Sequence, residues 1–236
     1  QLNARDATSA SLGAVGESRS LLHLQSETGT RAAPRGGRPA LYHFPLLVPA
    51  RPALGQFVAH LDDIGVPAAS ADHAVSEALY LWDPDGLGIE VDADRPRGAW
   101  KLSGQELFMT TERLDLRSLA AAAAGQRWQG MPAGTTLGHM HLHVGDLGVA
   151  EAFYHRALGF DETVWTFPGA LFLSAGGYHH HLGTNTWAPG AIPARANEAR
   201  LLEWDIIVPS ESDRQAAALS CRDAGYVVEI RDDRYL

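Results

Sequence analysis

The amino-acid sequence predicts an α+β protein built from repeats of one unit, in which a strand leads into a helix and then into two or three antiparallel strands. Three hydrophobic strands open such units, at residues 41–48, 139–144 and 201–208. Apolar residues at helical spacing follow each of them, at residues 54–64, 149–158 and 216–224. Each helical stretch closes at a glycine, namely Gly65, Gly159 and Gly225. Further strand-like segments come next, at residues 78–82, 170–174 and 226–230. This recurring order predicts tandem βαβββ units.

The repeats divide the chain into five segments. Residues before position 40 lack an opening strand and helix, so we interpret them as the remainder of an earlier unit. An alanine-rich stretch at residues 116–124 predicts a short helix within a connector. The expected segments are a remnant of a first unit at residues 1–39, a second unit at 40–100, a connector at 101–136, a third unit at 137–192 and a fourth, incomplete unit at 193–236.

Composition disfavours several classes of partner. The chain has 19 lysines and arginines against 28 acidic residues, a net charge of -9, whereas a nucleic-acid surface needs a basic stripe. No apolar run approaches the roughly 18 residues of a membrane span, and the first residues show no signal-peptide pattern. Cys221 is the only cysteine, so a disulfide framework is not expected. We therefore expect a cytoplasmic protein without nucleic-acid or membrane partners.

Two repeats place a histidine at the same position of the opening strand. His43 lies five residues before Val48, and His139 lies five residues before Val144. The turn at residues 83–86 then delivers Glu90 onto another strand. Any single histidine here is more often a hydrogen-bonded core residue, but a polar residue repeated in core strands needs a common partner. Two imidazoles and one carboxylate are typical of a divalent metal site with open positions, as in non-haem Fe(II) oxygenases.

Other polar residues accompany this set. His141 and His143 share the face of His139 if side chains alternate along the strand. Three consecutive histidines, at residues 179–181, cannot all share one face of a strand, and we expect His180 to lie opposite its two neighbours. His73 and Tyr80 precede Glu90, but a turn intervenes and residue counting leaves open whether Tyr80 and Glu90 share a face.

The sequence resembles the vicinal oxygen chelate superfamily, which is built from paired βαβββ units. The resemblance rests on three features: a sequence motif that extends from His139 through Val144 to Phe160, the Asp-Pro-Asp-Gly turn that leads to Glu90, and the histidines at 179–181. It covers nearly the whole chain. Within the superfamily, the extradiol ring-cleaving branch of bacterial catechol-2,3-dioxygenase-like proteins is the most similar group.

The resemblance implies an Fe(II)-dependent dioxygenase that cleaves a small aromatic diol with O2, with Mn(II) or another divalent metal as the alternative ion. His43, His139 and Glu90 would be the metal ligands, in a cup that we expect the two middle units to form by pairing. The expected catalytic groups are His180, Tyr80 and His73. The expected substrate-contacting residues are His141, His143, Phe172 and Trp187. The resemblance also allows a homo-oligomer.

Two other functions remain open from the sequence. One is a glyoxalase-type isomerase or lyase, which normally uses four protein ligands, although the third unit offers His180 to Leu182 where the second carboxylate would stand. The other is a non-catalytic module that binds small molecules such as drugs, but such modules usually lack the metal-binding residues.

Overall fold

The computed structural model describes residues 1–34, 38–231 and 234–236, and its architecture is α+β around one large mixed sheet, which confirms the predicted fold class. A separate antiparallel sheet of three strands comes first in the chain. Its strands are β1 (Leu2–Arg5), β2 (Ser9–Gly13) and β3 (Ser20–Gln25).

Twelve further strands and four α-helices follow within the described residues. The strands are β4 (Ala40–Leu47), β5 (Ala69–Asp72), β6 (Ser76–Trp82), β7 (Gly88–Asp94), β8 (Leu102–Ser103), β9 (Glu106–Leu107), β10 (Met140–His143), β11 (Asp161–Val164), β12 (Ala170–Ser174), β13 (Leu182–Asn185), β14 (Ile230–Arg231) and β15 (Arg234–Tyr235). The helices are α1 (Arg51–Asp63), α2 (Leu116–Ala122), α3 (Leu147–Glu151) and α4 (Glu211–Asp223). Helix α3 continues directly into a π-helical segment, Ala152–Ala157.

The large sheet has the strand order β11-β12-β13-β10-β4-β7-β6-β5. Each half is a strand followed by a helix and three strands, and in each half the first strand pairs in parallel with the last, β4 with β7 and β10 with β13. The two first strands, β4 and β10, pair with each other in the antiparallel sense. The opening strands of both units therefore meet at the centre of one sheet, and this seam positions the site described below.

Helix α1 packs its apolar face on the first half of the sheet. Pro52 lies in its first turn, where a missing N–H costs nothing, and Leu54, Phe57 and Leu61 are buried at helical spacing. They belong to one core cluster with Val48, Leu79 and Val91. Burial of each of these side chains contributes about 1.5–3 kcal/mol. A second cluster of Met140, Leu142, Leu171, Leu173 and Leu182 covers the other half. Among the described residues, no helix has the length and apolar character to cross a membrane.

Some predicted elements differ in the structure. Residues 201–208 form no strand and join none of the described sheets; Leu201 and Trp204 pack on the second core cluster, and Glu203 and Asp205 pair with Arg234. Helix α4 begins at Glu211 rather than at residue 216, since the Ser210 hydroxyl accepts a hydrogen bond from the N–H of Asp213. The predicted strand at residues 226–230 is reduced to Ile230–Arg231, which pairs only with β15.

Candidate metal centre

Three side chains from the central strands converge on one point. His43 lies on β4, Glu90 lies on the neighbouring β7, and His139 immediately precedes β10. The Oε2 atom of Glu90 is 2.8 Å from His43 Nε2 and 3.2 Å from His139 Nε2. All three residues are buried, and their ligand atoms lie within 4.8 Å of one another. No fourth histidine, cysteine or acidic residue joins this group in the described part of the chain.

The chemistry of these groups fits a divalent cation. His43 Nε2 faces the carboxylate but has no hydrogen-bond partner of acceptable geometry among the described residues, which leaves a buried orphan atom. Burial would raise the pKa of Glu90, but His43 and His139 lower it well below its ordinary value. Burial lowers the pKa of His139, although Glu90 partly opposes this. An ionised carboxylate and neutral imidazole are the protonation states that bind metals.

Tyr80 and His73 extend this group through hydrogen bonds. Tyr80 lies directly opposite Glu90 in the antiparallel pair of β6 and β7, so the two side chains share a face. The Tyr80 hydroxyl donates to Glu90 Oε1 at 3.0 Å, and it lies 2.6 Å from His73 Nε2. His73 Nδ1 donates to the carbonyl oxygen of Thr110 at 2.7 Å. Tyr80 therefore holds one oxygen of Glu90 while the other faces the two imidazoles.

His180 lies beside the cluster. Its ring centroid is 4.2 Å from that of His139 and 5.0 Å from that of Phe172. Burial lowers the pKa of His180 well below its ordinary value, which favours the neutral imidazole. The expectation that His179 lies opposite His180 is wrong, because residues 179–181 form no strand and follow a turn at Gly176 and Gly177, both of which have positive φ. The Nδ1 atoms of His179 and His180 are 2.8 Å apart.

The residues expected to contact substrate surround the same region. The His141 ring is 4.9 Å from His43 and 5.6 Å from both Phe172 and Trp187. It packs directly on Gly183, where a Cβ would lie 2.9 Å from the ring. His143 Nδ1 donates to Asn185 Oδ1 at 2.6 Å. The Nε2 atoms of both histidines are buried and lack partners among the described residues.

Sequence reasoning missed Tyr42. The β4–β10 register shifts by one residue at this position, which makes Tyr42 the extra residue of a β-bulge and turns its ring to the histidine face. That ring is 4.7 Å from both His43 and His143. A cavity of about 250 Å³ begins here, lined in part by Tyr42, His143 and Trp82. Nothing in the sequence signals the bulge.

Sequence reasoning also missed two acids that follow Glu90 on its strand. Asp92 and Asp94 follow Glu90 at every second residue of β7, so strand alternation could have predicted that they share its face. Asp92 is fully buried, and neither of its carboxylate oxygens has a hydrogen-bond partner among the described residues. Burial, and then Glu90 and Asp94, raise the pKa of Asp92 well above its ordinary value. Asp94 accepts a hydrogen bond from His179 Nε2 at 2.8 Å.

Comparisons with known proteins assign the family. No protein-family model matches the chain. A relative from Bacillus subtilis (strain 168) named catechol-2,3-dioxygenase is 41% identical over 221 residues, which are 92% of this chain and 77% of that protein.

A solved structure shares the fold. A protein from Bacillus subtilis subsp. subtilis str. 168, assigned provisionally as a dioxygenase, matches with a TM-score of 0.59 and 14% identity over 95% of this chain, which spans 65% of that structure. A Mn(II)-bound glyoxalase from Novosphingobium aromaticivorans has a TM-score of only 0.33 and 18% identity, over 98% of this chain and 64% of the glyoxalase, which is too low to show a shared fold. As the sequence resemblance predicted, the chain belongs to the vicinal oxygen chelate superfamily, within its group of bacterial catechol-2,3-dioxygenase-like proteins.

Proposed function

We propose that this protein is an extradiol dioxygenase that opens the ring of a small aromatic diol with O2 and uses Fe(II) as its metal. The observation that carries the proposal is the buried convergence of His43, Glu90 and His139 without a fourth ligand among the described residues. Three protein ligands on an octahedral ion leave open positions, enough for a bidentate diol and for O2. The name of the Bacillus subtilis relative supports the same reaction.

The protein's own residues would provide position, polarity and exclusion of water. Bound Fe(II) would supply a path for electrons between the diol and O2, which no amino-acid side chain provides. The hydrogen bond from Tyr80 to Oε1 of Glu90 keeps Oε2 directed at the two imidazoles. Such outer hydrogen bonds typically change metal affinity by about 10-fold to 100-fold.

One imidazole, that of His180, contacts His139 at the edge of the metal group and could exchange a hydrogen bond with a diol. Both ring nitrogens of His73 already have partners, so His73 would act only through the Tyr80 hydroxyl. Phe172 packs against both His180 and His141, and Trp187 packs against His141, so the walls of the pocket are aromatic. An aromatic wall with a few polar groups suits a small aromatic ligand.

The number of metal-binding side chains separates this proposal from its two alternatives. Glyoxalase-type enzymes normally supply four protein ligands, whereas the group here contains three in the described residues. A non-catalytic ligand-binding module does not require two imidazoles and a carboxylate that converge on one buried point.

The direct test is oxygen uptake by the metal-loaded protein. Protein loaded anaerobically with Fe(II) is mixed with catechol and aerated buffer, while O2 consumption and the yellow ring-opened semialdehyde are followed. We expect one O2 consumed per product, and no product from Zn(II)-loaded protein, because zinc has no redox chemistry. Protein that holds one Fe(II) per chain, yet turns over neither catechol nor any member of a panel of substituted catechols, contradicts the proposal.

A further inference from the structure

A chain of buried hydrogen bonds ends at His180. Asp94 Oδ1 accepts a hydrogen bond from His179 Nε2 at 2.8 Å, and His179 Nδ1 lies 2.8 Å from His180 Nδ1. The His179 side chain is fully buried, and the Asp94 side chain is 27% exposed. Among the described residues, the hydrogen bond of the His180 ring is the one made by Nδ1. Asp94 and His179 have no other role in the metal group.

The donors and acceptors along this series of hydrogen bonds determine which ring nitrogens of His179 and His180 carry a hydrogen. An ionised carboxylate can only accept, so His179 Nε2 must carry a hydrogen. When His179 is neutral, its Nδ1 is therefore bare and must accept. The hydrogen between the two rings then belongs to His180 Nδ1, which donates to His179. A neutral His180 with a hydrogen on Nδ1 has a lone pair on Nε2, its one free nitrogen.

We propose that Asp94 and His179 are positioning residues, which hold His180 in the tautomer whose Nε2 is a hydrogen-bond acceptor. This tautomer determines which ligand groups His180 can recognise, and that part of the inference rests on the function proposed above. An accepting Nε2 favours a ligand that presents a hydrogen-bond donor beside the metal group, such as the hydroxyl of an aromatic diol. It disfavours an ether or carbonyl oxygen at the same place, since two acceptors would then face each other.

The tautomer can be measured without catalysis. Ring nitrogen and hydrogen correlations are recorded by NMR on protein with ¹⁵N-labelled histidines, metal-free and loaded with diamagnetic Zn(II), at pH 8. The His180 signals are identified by their loss in the His180→Asn variant. We expect a protonated Nδ1 and a bare Nε2 in the unchanged protein. A hydrogen on Nε2 of His180 in this protein overturns the inference without any further variant.

Two variants that alter the hydrogen bonds of the Asp94 carboxylate distinguish a positioning role from a general structural defect. Asp94→Ala removes the acceptor, so both tautomers of His180 should appear, and the affinity of the Zn(II)-loaded protein for 4-nitrocatechol should fall by roughly 5-fold to 10-fold, as expected for one lost hydrogen bond. Tyr178→Phe is the matched control, because the Tyr178 hydroxyl also donates to Asp94 Oδ1, at 3.3 Å, but is not in the chain to His180. It should leave the tautomer unchanged.

The outcomes distinguish this inference from the proposed function. If Asp94→Ala retains the single tautomer of the unchanged protein, the positioning role is refuted even where turnover is normal. If the tautomer responds as expected but the iron-loaded protein never consumes O2, the positioning role is supported and the dioxygenase proposal fails.

Discussion

Replacing Glu90 with glutamine distinguishes a metal-binding carboxylate from a structural one. In the structure Oε2 faces His43 Nε2 at 2.8 Å and His139 Nε2 at 3.2 Å, while Oε1 accepts a hydrogen bond from Tyr80. Glutamine preserves the shape and keeps an acceptor for Tyr80. Its amide nitrogen would stand where Oε2 stood, with two hydrogens available for the two imidazoles.

The magnitudes follow from charge and burial. His43 and His139 hold the pKa of Glu90 well below its ordinary value, so the ionised carboxylate contributes to stability and the metal-free Glu90→Gln protein should be no more stable than the unchanged one. A metal at 100 times its Kd stabilises the unchanged protein by about 2.7 kcal/mol. For a chain of this size that free energy raises the Tm by about 5–10 °C. A variant whose affinity falls about 100-fold should keep a shift of only about 1 °C.

Thermal unfolding with and without Mn(II) or anaerobic Fe(II) measures both the stability of the metal-free protein and the metal-induced shift in Tm. Glu77→Gln is the matched control, because Glu77 is equally buried on the adjacent strand but pairs with Arg51 and Arg95. It should lose stability without metal and keep the full metal-induced shift. The reasoning is refuted if Glu90→Gln retains that shift.

Three further predictions concern the same site. Tyr80→Phe removes the hydrogen bond to Glu90 Oε1 and should weaken metal affinity by about 10-fold to 100-fold in a competition assay with a chelator dye; unchanged affinity would contradict the assignment. Gly183→Ala places a Cβ 2.9 Å from the His141 ring, so it should cost about 1–3 kcal/mol in urea unfolding and weaken binding of a diol while bound metal stays near one per chain. Burial lowers the pKa of His139 and His141 below the ordinary 6.5, so unfolding takes up protons below that pH. The free energy of unfolding of the metal-free protein should therefore fall as the pH drops from about 6.5. A flat profile between pH 6.5 and 5 would contradict their burial as neutral groups.

The repeated units allowed the three side chains of the metal centre to be predicted from the sequence. Aligning the units on Val48 and Val144 placed His43 and His139 at equivalent strand positions, and the turn at residues 83–86 pointed to Glu90. The structure brings these three residues together because the opening strands of the two units pair at the sheet centre. Strand periodicity and unit order are local properties of the chain, and for that reason they are readable from it.

Other features depend on contacts that a sequence pattern does not encode. The bulge at Tyr42 arises from the register between β4 and β10, and it reverses the face that strict alternation assigns to this ring. The irregular backbone at residues 179–181 places His179 and His180 in contact, although a strand would have separated them. Residues 201–208 carry the apolar pattern of a strand but pair with no described strand, and Ile207 is 75% exposed.

The most direct test of the metal centre is anomalous diffraction at the iron edge on crystals loaded anaerobically with Fe(II). We predict one peak, at about 2 Å from each of His43 Nε2, His139 Nε2 and Glu90 Oε2, the distance typical of such ligands. An iron peak elsewhere, or one bound by fewer than these three side chains, would contradict the assignment on which the proposed dioxygenase activity depends.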